Sequence, residues 1–194
     1  MMKMKFVELE SERLIYRKFN PDDFPIVFDW LSDAETMKYR KGEPRNKAEV
    51  RDYMDWAMSN AEADECSNFE YAVVLKENNI LIGAATLMNV SDAPEVGWTI
   101  HRNYWKQGYG TEIGETMLKL GFDTLKLHRI IAGCNARNEG SYKIMERLGM
   151  RREAHFIQSQ LGNSALNNAW CDRFLYAILR EEYELKTGGV ADAV

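Results

Sequence analysis

Between Pro94 and Ala136 a β-type run, PEVGWTI, leads through a glycine-bearing turn into a helical pattern that ends near Leu125. A second β-type run, HRIIAGCNA, follows directly. Two strands joined through a helix form a crossover, so these runs should lie parallel in one sheet. Ile113, Met117 and Leu120 give the connecting helix one buried stripe. The rest of the chain adds to this α/β unit. RLIYRKF (13–19) alternates as a first strand. NPDDFPIVFDWLSD opens with cap-type residues and carries Val27, Trp30 and Leu31 at helical spacing, and NKAEVRDYMDWAMSNAEAD sets Val50, Met54 and Met58 on one face. FEYAVVLKENNILIGAATLMNV holds two β-rich runs around Glu77, Asn78 and Asn79, which reads as a hairpin. NEGSYKIMERLGM is a short helix capped by Asn138 and ended by Gly149 in a left-handed conformation. MRREAHFIQSQ and WCDRFLYAILREEY are two late strands around the polar loop LGNSALNN. The order β-α-α-β-β-β-α-β-α-β-β describes a mixed α/β sheet in a single domain, residues 1–185, with a frayed tail at 186–194.

With 194 residues and 45% hydrophobic content the chain can bury a core. Its net charge of −5 and lack of a long basic run argue against non-specific binding to nucleic acid or to an anionic membrane. MMKMKFVELESE has no apolar signal core, and no run approaches the roughly 18 apolar residues of a membrane span. Cys66, Cys134 and Cys171 form neither a disulfide framework nor a CxxC pair, and His101, His128 and His155 lack metal-ligand spacing. A cytoplasmic protein without a metal is the expectation.

The segment NYWKQGYGTEIGETML (Asn103–Leu118) places Gly108 and Gly110 at a helix mouth. Unpaired N–H groups and the helix dipole make such a mouth an anion site, and Lys106, Gln107 and Thr111 could add side-chain donors. No Lys-Ser/Thr pair follows the last glycine, as a P-loop requires. Ile113 stands where a dinucleotide fingerprint needs its third glycine. A tight strand–helix turn is the other reading of the two glycines by themselves.

Taken with NARNEGSYKIMERLGM about thirty residues later, this loop resembles that of the GNAT superfamily of N-acetyltransferases. SERLIYRKFNPDD, PEVGWTIHRNYWKQGYGTEI, NARNEGSYKIMERLGMRREA and WCDRFLYAILREEY more closely resemble its Rim-type (RimJ/RimL-like) branch, the ribosomal-protein N-terminal acetyltransferases, over Glu12 to Tyr183. The resemblance implies a mostly antiparallel sheet of about seven strands with flanking helices, whose fourth and fifth strands (94–100 and 128–136) splay apart. It implies acetyl transfer from acetyl-CoA to a primary amine by direct attack. The backbone of Trp98, Thr99 and Ile100 would pair with the pantetheine as an added strand. Trp105, Lys106, Gln107, Gly108, Tyr109, Gly110 and Thr111 would hold the diphosphate, and Asn138 with Ser141 would face the pantetheine and thioester. Trp105 departs from the Gln or Arg usual at the first loop position, where backbone N–H groups do most of the binding.

Glu95 is the candidate base, since a partly desolvated carboxylate accepts a proton more readily. Ser141 is the candidate acid and Tyr142 the alternative donor. Cys134 raises a covalent reading, although neither His128 nor His155 has partner spacing, and a buried cysteine acting as a small hydrophobe competes with it. Trp30, Tyr39, Tyr71 and Trp98 are candidates for an amine pocket or for core packing. Arg40–Asn46 reads as a mobile substrate loop. The expected acceptor is a protein N-terminal α-amine of the ribosomal-protein-alanine type. A small amine (polyamine, amino acid or aminoglycoside) and a non-catalytic acyl-CoA-binding module are the alternatives. A monomer or a homodimer fits the sequence.

Overall fold

The structure is a computed structural model that describes residues 5–188. Among these, eight strands form one sheet: β1 (Leu9–Glu10), β2 (Leu14–Arg17), β3 (Phe69–Leu75), β4 (Leu81–Met88), β5 (Glu95–Ile100), β6 (Arg129–Asn135), β7 (Arg151–Leu161) and β8 (Trp170–Leu179). Their order is β1-β2-β3-β4-β5-β6-β8-β7, and every neighbouring pair is antiparallel except β5 and β6. The crossover therefore makes parallel strands, as its spacing requires. The eighth strand beyond the expected seven is β1, whose two residues are too few to show an alternation.

The helices are α1 (Phe24–Ser32), α2 (Ala34–Met37), α3 (Lys47–Glu62), α4 (Tyr109–Lys119), α5 (Glu139–Arg147) and α6 (Arg180–Thr187). They cover both sheet faces. On one face Val27, Trp30, Val50 and Met54 of α1 and α3 pack on Ala72, Val74 and Ala84. On the other, Ile113 and Met117 of α4 and Met145 of α5 pack on Tyr71, Leu87 and Ile130. Each such buried aliphatic side chain contributes roughly 1.5–3 kcal/mol.

Three expectations need correction. REEY does not continue the last strand but begins α6: the Leu179 N–H donates to Glu182 Oε2 at 2.8 Å, closing the helix start. Lys186 and Thr187 lie on that helix, and the remainder of the expected tail, after Gly188, lies outside the described residues. The polar loop LGNSALNN is anchored at its middle. Asn163 is buried, and its Nδ2 donates to the carbonyls of Met37 and Gly42 at 3.0 and 3.1 Å. The 40–46 segment is consequently tied down: Ser164 N–H donates to Glu43 Oε1 at 2.8 Å, and Arg45 N–H donates to Leu31 O at 2.7 Å.

What positions the site is a defect in strand pairing. β5 and β6 meet at one pair, Glu95 opposite Ile131, beside the Ile131 N–H donating to Pro94 O at 2.8 Å. Beyond that point β5 stays registered on β4 through Ile100, and β6 stays registered on β8 through Asn135. The two strands thus diverge into a wedge with open backbone edges.

Candidate active site

A cleft of about 1450 Å³ occupies the wedge. It reaches from α3 and the 40–45 segment on one side of the sheet to Cys134, Asn138 and Ser141 on the other. A molecule entering from each side would therefore meet between β5 and β6.

At the C-terminal end of β5 the chain turns into α4. Lys106 (φ 61°) and Gly108 (φ 85°) are both left-handed, which turns successive peptide N–H groups toward the same side. The backbone N–H groups of Lys106 through Gly110 make no hydrogen bond among the described residues. Five unpaired donors at the start of an eleven-residue helix are an anion cradle. At Gly110 a Cβ would lie 2.5 Å from Ile144 Cδ1, so its bareness also seats α5 against α4. Of the expected side-chain donors, Gln107 is committed, its Nε2 donating to Asn103 O at 3.1 Å. Lys106 is exposed and makes no ion pair among the described residues. Trp105 Nε1 donates to Ile100 O at 2.7 Å and pins the cradle to the end of β5, so that carbonyl already has a donor.

The sequence does not flag what braces this loop. Arg13 on the β1–β2 side donates through Nε to Glu112 Oε2 at 2.7 Å and through Nη1 to Gln107 O at 3.0 Å, and its guanidinium lies 4.4 Å from the centre of the Tyr109 ring. Burial raises the Glu112 carboxyl, but hydrogen bonds from Ser11 and from the Arg13 backbone and side chain outweigh it and hold the group below its ordinary value.

Glu95 sits where β5 and β6 separate, half-buried, with Arg173 Nη2 at 3.5 Å. Arg173 comes from β8 and crosses β6 over Gly133, where a Cβ would collide with its guanidinium at 2.4 Å. Ser141 lines the cleft across from Glu95, in the first turn of α5, where its N–H donates to the Asn138 Oδ1 cap at 3.2 Å. Tyr142 does not line the cleft, and its ring packs edge-on against Phe174 at 5.8 Å. Cys134 is buried, and burial pushes its thiol up to about 11 despite Ser141, Arg173 and Arg152 nearby. At neutral pH it is a thiol, not a nucleophilic thiolate. Tyr71 is a fully buried core residue away from the cleft, whereas Tyr39, Trp98 and the equally buried Trp30 line it.

Two further lining residues stand out. Asn135 ends β6 and is 3% exposed; its Oδ1 accepts from Arg137 N–H at 2.9 Å, while its Nδ2 has no partner among the described residues. Glu70 of β3 is 5% exposed, with one oxygen accepting from the Tyr53 hydroxyl. Among the described residues no cluster of His, Cys, Asp and Glu could hold a metal ion, and no helix is long and apolar enough to cross a membrane.

Residues 13–151 match the acetyltransferase (GNAT) domain family. The solved structure of a GNAT-family acetyltransferase from Bacillus anthracis is 34% identical, with a TM-score of 0.78 over 90% of this chain and 99% of that one. Spermidine N-acetyltransferase from Vibrio cholerae, solved with CoA and spermine, shares the fold at 18% identity and a TM-score of 0.76, over 89% of this chain and 99% of its own. A ribosomal-protein-S5-alanine acetyltransferase from Vibrio fischeri does so at 20% identity and a TM-score of 0.76, over 91% and 98% of the two chains.

Proposed function

The chain belongs to the acetyltransferase (GNAT) domain family and is an acetyl-CoA-dependent N-acetyltransferase, and on that premise we propose that it acetylates a protein N-terminal α-amine, with Glu95 as base. The observation that carries the site reading is the run of three features along β5: a carboxylate at the apex of the wedge, the open edge of the strand within the cleft, and the unpaired donors of residues 106–110 in the turn that follows the strand. The donors from Lys106 to Gly110 suit a diphosphate. The open edge at Trp98, Thr99 and Ile100, apart from the Ile100 carbonyl that Trp105 occupies, suits the amides of a pantetheine arm. Asn138 and Asn135 line the cleft beside that arm from the start of α5 and the end of β6.

Glu95 removes a proton from the acceptor ammonium, and Arg173 keeps the carboxylate oriented. The freed amine forms the new C–N bond at the thioester carbonyl as the C–S bond breaks. The nitrogen then loses its second proton, which passes through the Ser141 hydroxyl or water to the departing thiolate, and Glu95 returns the first proton to solvent. An α-amine, with an unperturbed pKa of about 7.7–8.0, asks less of the base than lysine does. The cleft's volume of about 1450 Å³ leaves room for an extended chain end, and the fold is shared with a ribosomal-protein acetyltransferase. Free buried thiols support a cytoplasmic location.

The test is thiol release from acetyl-CoA with free and N-terminally blocked peptides, beside polyamines, amino acids and aminoglycosides. Turnover confined to free peptide N-termini is the expected result. Turnover with small amines alone overturns the acceptor. Glu95→Gln should lower kcat/KM by about 10²–10⁴ without altering CoA affinity; an unchanged rate removes Glu95 from the base role.

A further inference from the structure

Glu70 is not used by the acetyl-transfer chemistry, yet it faces the same cleft. The register places Glu70 opposite Thr86 and Thr86 opposite Gly97, and Glu95 lies two residues before Gly97. Side chains two apart on a strand share a face, so Glu70 and Glu95 stand on one floor. Two strand spacings across and two residues along put their α-carbons about 12 Å apart.

Few cations are near enough to satisfy Glu70. One oxygen accepts from Tyr53 Oη; the other has no hydrogen bond, and the group makes no ion pair among the described residues. The cations around it are otherwise engaged. Arg40 bonds Thr99 Oγ1, and the Arg45 guanidinium lies 5.0 Å from the centre of the Tyr53 ring. From α3, Glu49 turns its carboxylate to the Asn46 N–H at 2.8 Å, and Asp52 sits exposed on the rim. Burial pushes the Glu70 carboxyl up to about 7, against the Tyr53 hydrogen bond and the pull of Arg40 and Arg45. A buried carboxylate with a spare oxygen at a cavity wall is stabilised by an incoming cation.

We propose that Glu70, presented with Tyr53 at the end of the cleft away from the β5–β6 wedge, seats a second cationic group of the acceptor, an ammonium or guanidinium several atoms from the amine that is acetylated. This rests on the acetyl-transfer reading. It concerns acceptor selection and not the chemical step. The second cation can belong to a diamine or to a basic residue next to a peptide N-terminus.

The experiment compares matched acceptors: cadaverine against pentylamine, and the amidated dipeptides Ala-Lys against Ala-Gln. Acetylation kinetics and calorimetric titration of the same four compounds are run on the wild type, Glu70→Gln and Tyr53→Phe. Glu70→Gln keeps the size and an acceptor for Tyr53 but removes the charge; Tyr53→Phe removes the hydrogen bond and keeps the charge. In the wild type the dicationic member of at least one pair should bind and turn over with a KM lower by about tenfold or more. Glu70→Gln should abolish that preference while leaving kcat for the monocation and CoA affinity unchanged, and Tyr53→Phe should retain it. Which pair responds distinguishes a diamine from a basic chain end. Equal affinities within both pairs, or a preference that survives Glu70→Gln, overturns the proposal. The titrations decide it even if no amine is acetylated, in which case the transfer reading falls separately.

Discussion

Glu70 and Cys134 have the same problem, burial of a titratable group, and resolve it differently. Glu70 holds its proton up to about 7 in the folded chain, against an ordinary value of 4.5. A carboxyl raised on folding binds more protons folded than unfolded, so its stabilising contribution is complete below 4.5 and is lost as pH rises through 7. The shift corresponds to a pH-dependent difference on the order of 3 kcal/mol. Urea unfolding of wild type and Glu70→Gln at pH 5 and pH 8 should show the variant gaining on the wild type toward pH 8. Parallel pH dependences would mean that Glu70 is solvated. Burial pushes Cys134 up to about 11, so it is a thiol at neutral pH. Cys134→Ala should therefore keep kcat within a few-fold and lose about 1–2 kcal/mol of stability from its buried site. Loss of kcat by more than about a hundredfold, with CoA binding intact, would restore the covalent reading.

At the scale of elements, the anion cradle is a property of a loop that other elements hold in place. Gly108 supplies the left-handed turn, and α5 reaches α4 because Gly110 has no side chain. The brace comes from Arg13, ninety-nine residues before Glu112. Arg13→Ala removes two hydrogen bonds to the loop and its cover over Tyr109. CoA affinity should fall by about tenfold, a loss of roughly 1.4 kcal/mol, with kcat at saturation little changed. Calorimetry with CoA checks this, and unaltered affinity would show that the cradle keeps its shape without the brace. The glycines and the strand–helix transition were legible because both are local. The brace was not, because nothing near Arg13 in sequence marks Glu112 as its partner. α6 escaped notice for a related reason: REEYELK offers no apolar stripe, and its N-cap is a leucine with no capping side chain, the start being closed by the Leu179 N–H donating to Glu182.

At the scale of the molecule, the acceptor side of the cleft is closed by a tie between distant loops. Asn163, from the connection of β7 and β8, bridges the carbonyls of Met37 and Gly42 and so holds the 40–45 wall. Asn163→Ala strands those carbonyls and should destabilise the fold by about 1–3 kcal/mol. It should also raise KM for the acceptor more than for acetyl-CoA, whose proposed donors, residues 106–110, do not line this wall. A substitution that shifted both KM values equally would place the tie's effect on the whole fold instead of on this wall.

By itself the sequence determined the order of most elements, the parallel crossover and the glycine-bearing turn into α4. Each is written in the period of apolar residues or in glycines whose backbone requirement is local. Only the tertiary structure decided where β5 and β6 part, because a strand's pattern records which faces are buried and not where its edge loses a partner. Tertiary packing also made Glu70 a buried carboxylate. In FEYAVVL a lone acid reads as the polar side of a strand, and it is the covering of that face by α1 and α3 that takes it out of water.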